Sequence, residues 1–195
     1  MRVRRALVST LFVPAIGLGA IGCSSDDEGP SATAPTTSTG QHSSDPPWGL
    51  NTIDMPDDAQ SVRATFEAFP EELRGVRRAD VSPNEVSYGD GSTFVRAIDL
   101  AQAQAEGFPS TAPAYLGLLA SSGEVDVEAK ETNPNAGFVY LVSLNTAQDS
   151  PDAEPRETFD AAWGAAGGAW LFVATATSAE QREALANAFL NAVPS

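Results

Sequence analysis

The spacing of hydrophobic and polar residues changes several times between residues 48 and 195, and each change predicts a different element. Residues 124–130 have the sequence Glu-Val-Asp-Val-Glu-Ala-Lys, and this alternation predicts a strand with one solvent-exposed face. Residues 138–144 are apolar on both faces except at Ser143, which is typical of a central strand. Two turn sequences, Asp90-Gly91 and Gly164–Gly168, indicate hairpins. The strands that flank these turns are predicted at residues 84–89, 93–100, 157–163 and 169–177.

Helical spacing begins before the first of these hairpins. Apolar residues recur at i, i+4, i+7 and i+11, and they predict an amphipathic helix with one buried face. The helix is predicted to begin in the capping arrangement Asp57-x-x-Gln60, to kink or restart at Pro70, and to end at Gly75. Its buried positions are Val62, Phe66, Phe69 and Leu73.

Two more helices complete the predicted fold. A short one is expected from Ser110 or Thr111 to Ala120, and a long one begins at the capping pair Ser178-x-x-Gln181. The inward positions of the long helix are Leu185, Ala188, Phe189, Ala192 and Val193. The sequence therefore predicts an α+β fold, a mainly antiparallel sheet covered by helices that ends in a strand and a long C-terminal helix.

The N-terminus has a different pattern, with basic residues followed by an apolar run. Three arginines precede residues 6–21, no acidic residue occurs before Asp26, and the run ends in Ala20-Ile21-Gly22-Cys23. This is the layout of a secretory signal. A cysteine directly after the small residues resembles the lipobox of bacterial lipoproteins, although Ala20 stands where Leu is commonest. The resemblance implies cleavage between Gly22 and Cys23 and a diacylglycerol on the Cys23 sulfur.

The lipobox resemblance divides the chain into three parts. Residues 1–22 are the expected signal peptide, and residues 23–47 are the lipidated cysteine and a linker rich in Ser, Thr and Pro that is too polar to fold. Residues 48–195 are expected to form one globular domain. The protein is then expected on the extracytoplasmic face of the cell membrane, held by the lipid on Cys23. Two alternatives are a transmembrane anchor and a free or intermolecularly paired thiol.

Charge limits the partners of this domain. Three of the 11 basic residues precede Cys23 and all 26 acidic residues follow it, so residues 23–195 carry a formal net charge of −18. Such a surface repels nucleic-acid phosphates and anionic lipid headgroups, which excludes nucleic acid as a partner. The basic cluster Arg74, Arg77 and Arg78 is a candidate anion-binding site, or a set of charges that neutralises nearby carboxylates.

The inventory of reactive side chains limits the chemistry. His42 is the only histidine and lies in the linker, and Cys23 is the only cysteine, so no histidine- or cysteine-dependent catalysis or zinc site is expected in the domain. We predict no cofactor and no metal. Glu124, Asp126 and Glu128 could hold calcium, but they are better explained as the exposed face of one strand.

The final 24 residues of the predicted fold, at 170–193, have the sequence WLFVATATSAEQREALANAFLNAV. A terminal strand that leads directly into a capped, amphipathic last helix resembles the end of PsbP-like domains, a fold found in small bacterial lipoproteins. The resemblance carries no catalytic motif. The resulting expectation is a non-catalytic binding module of the cell envelope, with an envelope protein or an amphipathic ligand as partner. The alternative is a carboxylate-based hydrolase acting on envelope polysaccharide, which requires two carboxylates facing across a cleft.

Overall fold

An eight-stranded antiparallel sheet forms the centre of the fold, in the order β1-β2-β3-β4-β8-β7-β6-β5. The computed structural model describes residues 47–122, 125–147 and 156–194. The strands are β1 (Glu72–Leu73), β2 (Val76–Ser82), β3 (Glu85–Tyr88), β4 (Thr93–Asp99), β5 (Val125–Glu131), β6 (Phe138–Ala147), β7 (Arg156–Ala165) and β8 (Trp170–Ala176). The last strand therefore lies inside the sheet, between β4 and β7.

Among the described residues, four α-helices and one 3₁₀ helix accompany the sheet. They are the 3₁₀ helix η1 (Pro47–Thr52), α1 (Ala59–Glu67), α2 (Leu100–Ala105), α3 (Ala112–Ala120) and α4 (Ala179–Ala192). The predicted α+β class, its antiparallel sheet and its ending in a strand and a long helix are confirmed. Within the described residues, none of the helices has the length and apolar character needed to cross a membrane.

The two faces of the sheet carry hydrophobic cores of different composition. Helices α1 and α4 cover one face, where the core includes the buried aromatic residues Phe66, Trp163, Phe172 and Phe189. Helices α2 and α3 cover the other face, where the core is smaller and aliphatic. The buried residues of that second core are Leu100, Ala112, Leu116, Val139, Leu141, Ala162 and Leu171. We call these the aromatic layer and the aliphatic layer.

The C-terminal helix is as the hydrophobic spacing predicts. The Ser178 side chain accepts a hydrogen bond from the backbone N–H of Gln181, which satisfies one of the free donors at the helix start. The four inward positions within α4 are buried in the aromatic layer, and Val193, just after the helix, is half-buried against it. The buried four are Leu185, Ala188, Phe189 and Ala192.

The first helix is shorter than predicted and begins one residue later. Asp58, rather than Asp57, is the cap, because its carboxylate accepts the backbone N–H groups of Gln60 and Ser61. The helix ends at Glu67. Although Phe69 and Leu73 are buried as predicted, they lie outside it.

A hairpin that the sequence analysis missed follows this helix. Strands β1 and β2 pair with Leu73 opposite Val76, and the two residues between them, Arg74 and Gly75, have φ values of 50° and 82°. A positive φ at both central positions is typical of a tight hairpin turn, and it costs little at glycine. The prediction of a helix up to Gly75 is therefore wrong.

The two predicted hairpins are present. Tyr88 pairs with Thr93 around Asp90-Gly91, and β7 pairs with β8 around the glycine-rich turn. A Cβ atom on Gly164 would lie 2.9 Å from the carbonyl oxygen of Trp170, so the close approach of these strands requires glycine there. Helix α2, which we did not predict, begins where the side chain of Asp99 accepts two backbone N–H groups.

Candidate binding pocket at Asp160

A pocket of about 200 Å³ lies on the aliphatic side of the sheet, next to the C-terminal end of α3. Strands β5, β6, β7 and β8 and helix α3 all contribute to it. Its lining residues are Leu119, Ser122, Val125, Leu141, Ser143, Asn145, Asp160, Ala161, Ala162, Val173 and Thr175. We call it the Asp160 pocket, because Asp160 is the one ionisable residue among them.

Strand register explains why the pocket has a polar part and an apolar part. Ser143, Asp160 and Thr175 lie directly opposite one another on three neighbouring strands, so their side chains share one face. Two residues away on each strand, on the same face, a second row consists of Leu141, Ala162 and Val173. A molecule lying across both rows would therefore contact a carboxylate and hydroxyl groups at one end and aliphatic side chains at the other.

The Asp160 carboxylate is half-buried and is held by two threonine hydroxyl groups. Thr175 Oγ1 donates to Oδ1 at 2.7 Å, and Thr158 Oγ1 donates to Oδ2 at 3.0 Å. Burial raises the pKa of Asp160 above its usual value, against the opposing effects of these two hydrogen bonds and of the positive charge of Arg182. Among the described residues, no basic side chain lies within ion-pair distance of the carboxylate.

The raised pKa gives a prediction for the pH dependence of stability. A carboxyl with a higher pKa in the folded state binds more protons there than in the unfolded chain, so its contribution to stability falls as pH rises. We expect Asp160→Asn to match the wild type below about pH 4, where Asp is protonated even when unfolded, and to become relatively more stable as the pH rises to neutral. Denaturant unfolding at a series of pH values measures this difference.

Thr175→Val is the companion variant for that experiment. It removes a hydroxyl that stabilises the ionised carboxylate, so it should raise the pKa of Asp160 further and extend the pH-dependent range upward. If the difference in unfolding free energy between Asp160→Asn and the wild type stays constant from acid to neutral pH, the pKa of Asp160 is not raised in the folded protein.

A buried arginine lies on the opposite side of the same strands. Arg182 of α4 donates from Nη1 to the backbone oxygens of Ser143 and Asp160, at 3.1 and 3.4 Å, and from Nη2 to Glu128 Oε2 at 2.7 Å. Its guanidinium lies 5.7 Å from the ring centroid of Trp48. The Arg182 guanidinium therefore bonds other groups, and its hydrogen bond to Asp160 is to the backbone oxygen rather than to the carboxylate.

An irregularity in β5 gives Glu128 its position. The register between β5 and β6 shifts between Val127 and Ala129, so Glu128 is the extra residue of a β-bulge. A bulge re-aims a side chain, and here Glu128 bonds Arg182. Of the other two acidic residues considered for calcium, Asp126 is exposed and Glu124 lies outside the described residues. In the described part of the chain, no three Asp, Glu, His or Cys side chains are placed so that they could hold a metal ion.

The three arginines of the candidate anion site have separate partners or positions. Arg74 donates to the backbone oxygen of Glu180 at 3.2 Å, and Arg78 donates to that of Phe69 at 2.7 Å. Arg77 is exposed and lies opposite Glu72 in the register of β1 and β2. Arg77 and Arg78 share a shallow depression with Glu71 and Glu72. The other site residues predicted from sequence, Gly22 and Cys23, lie outside the described residues.

A wider open cleft of about 1020 Å³ lies between the segment after η1 and the turn that joins β7 to β8. Its carboxylates, Asp54 and Asp57, both belong to the segment before α1 and are exposed. The facing residues are Gly137, Phe138, Ala165, Gly167, Gly168 and Ala169. Because that wall has no ionisable side chain, the cleft does not place two carboxylates across from each other.

Asp160 is not among the site residues predicted from the sequence. The available signal is a lone carboxylate within an apolar strand, Phe159-Asp160-Ala161-Ala162-Trp163. An ionisable residue at such a position is costly to bury without partners, so it indicates a site or a local hydrogen-bond network. No known protein family, curated protein or solved structure matches this chain.

Proposed function

We propose that this protein is a lipid-anchored, extracytoplasmic binding module of the cell envelope, which holds its ligand in the Asp160 pocket. The binding part of this proposal rests on the Asp160 pocket. It is a concave site with aliphatic walls and a few convergent polar groups around a carboxylate whose pKa is raised. This combination is typical of ligand sites.

The sequence of residues 1–23 supports the anchoring part. Basic residues, an apolar run and small residues before Cys23 have the order of a lipoprotein signal. A diacylglycerol on Cys23 would supply two acyl chains, and two chains hold a protein on a membrane stably where one does so only marginally. The 24-residue linker, at residues 24–47, would span about 25–30 Å as a flexible coil.

The arrangement of acidic residues favours binding over hydrolysis. Glycoside hydrolysis requires two carboxyl groups about 5–9.5 Å apart on either side of the scissile bond. The Asp160 pocket has one carboxylate, and Asp54 and Asp57 lie on the same wall of the wider cleft. No observation in the described residues therefore favours the hydrolase. The PsbP-like resemblance stays a proposal, supported by the order of β8 and α4.

Photocrosslinking in native membranes tests the binding function. A photoreactive residue replaces Leu119 at the pocket, and in the control it replaces Gln60, which is exposed on α1 on the other side of the sheet. We expect adducts from the Leu119 position, identified by mass spectrometry as small molecules, lipids or proteins. A second change, Val173→Phe, should fill the pocket while keeping a residue that favours strands, and it should abolish those adducts.

Two results would contradict the proposed function. One is equal labelling from the Leu119 and Gln60 positions. The other is labelling at Leu119 that persists unchanged in the Val173→Phe variant, with a melting curve showing that this variant is folded.

A further inference from the structure

We infer that the ligand of the Asp160 pocket is a small organic cation, a primary amine attached to a compact apolar group. This inference rests on the proposed binding function and adds the chemical class of the ligand. Three observations support it: the pocket is small, the Asp160 carboxylate has no cationic partner within ion-pair distance among the described residues, and aliphatic side chains form the neighbouring wall.

The size of the pocket limits the ligand to a small molecule. Sites for drug-sized ligands have volumes of about 300–1,000 Å³, whereas a cavity of about 150 Å³ holds benzene. At about 200 Å³, the Asp160 pocket fits one ring or a short aliphatic chain with a polar head. A sugar chain or an acyl chain of a lipid would not fit inside it.

The carboxylate favours a cation as the polar head. An ionised carboxylate can accept about four hydrogen bonds, and Asp160 receives two from neutral hydroxyl groups. Arg182, whose positive charge acts on Asp160, is bound to Glu128 and to backbone oxygens on the other side of the sheet. Helix α3 contains no charged residue that could provide a counter-charge. An ammonium group entering the pocket would therefore form a charge-assisted hydrogen bond with a carboxylate that has no cationic partner within ion-pair distance in the described part of the chain.

The remaining lining residues complete the match to an amphipathic amine. Ser143 and Asn145 stand beside Asp160 and carry oxygen atoms that can accept the other N–H groups of an ammonium, which has three donors and no acceptor. Leu119, Leu141 and Val173 would contact the apolar part of the ligand. An anionic ligand would meet the Asp160 charge, and a neutral apolar ligand would leave the carboxylate desolvated without a new partner.

Benzylamine and benzyl alcohol are the matched probes, because they have nearly the same shape and differ in charge. The full chain, purified in detergent, is titrated with each probe while the methyl groups of Leu141 and Val173 are followed by NMR at neutral pH. We expect benzylamine to bind at least about tenfold more tightly than benzyl alcohol, because tenfold is the lower end of the usual contribution of a hydrogen bond to a charged group. Asp160→Asn should remove that preference, and Val173→Phe should abolish saturable shifts for both probes.

The outcomes separate this inference from the proposed function. Equal affinity of the two probes, or an amine preference that survives in Asp160→Asn, would overturn the amine class while leaving the pocket as a binding site. Absence of saturable binding by either probe would overturn the inference, and the photocrosslinking result would still decide the proposed function. Binding that is unchanged in Val173→Phe would place the probe outside the pocket and also overturn the inference.

Discussion

Phe189→Ala is expected to lower the free energy of unfolding by about 3–5 kcal/mol, the usual cost of truncating a large aromatic residue in a core. Phe189 is fully buried, and its ring centroid lies 4.6 Å from that of Phe172, 5.2 Å from that of Trp163 and 6.5 Å from that of Phe69. These three rings belong to two strands of the sheet and to the segment after α1. The substitution therefore removes contacts that join α4 to the rest of the aromatic layer.

Denaturant unfolding of wild type and variant measures this loss. Phe94→Ala is the matched control, because Phe94 is half-exposed and its ring faces Arg96, 5.3 Å from the centroid. The control should cost clearly less than Phe189→Ala. A loss below about 1 kcal/mol for Phe189→Ala, the typical effect of an average substitution, would contradict the packing of α4 described above.

Cys23→Ser is expected to release the protein from membranes or to leave its precursor uncleaved. Serine has no thiol and cannot form the thioether through which a lipoprotein carries its diacylglycerol, so the energy of the buried acyl chains, about 0.8 kcal/mol per methylene group, is lost. Membrane fractionation and intact-mass measurement follow the distribution and the processing of the chain. Ser24→Ala is the control, and it should stay lipidated and membrane-bound.

If Cys23→Ser is cleaved, remains on membranes and has the same mass difference from its precursor as the wild type, the lipobox interpretation is wrong. The same experiment distinguishes the two alternatives from each other. A transmembrane anchor keeps the uncleaved Cys23→Ser chain in the membrane fraction after a wash with high salt, whereas a free thiol does not.

The parts of the fold that were predicted are those in which a local pattern and its burial agree. The alternation predicted at 124–130, the turns Asp90-Gly91 and Gly164–Gly168, and the cap at Ser178 each fix one element from a few neighbouring residues. The β1–β2 hairpin was missed because the spacing of four apolar residues is helical, at Val62, Phe66, Phe69 and Leu73. The last two lie outside α1, and they are buried by tertiary contacts that local spacing does not reveal.

The candidate site could not be predicted in the same way. Ser143, Asp160 and Thr175 come together because three strands pair in one register, and no local pattern states which strands are neighbours. The arginine cluster shows the opposite case, in which residues that are close in the sequence do not form a common site. Its members are adjacent in sequence, but Arg74 and Arg78 donate to carbonyl groups in different parts of the fold.

The unequal layers have a consequence for how a ligand would reach the pocket. Regions with few buried contacts open at a lower free-energy cost than the global unfolding of the domain, and amide hydrogens exchange with solvent through such openings. The aliphatic layer contains a six-residue helix, α2, and no buried aromatic residue, so α2 and α3 should exchange faster than α4. A ligand that binds only the closed form would slow exchange in α3 by mass action and leave α4 nearly unchanged.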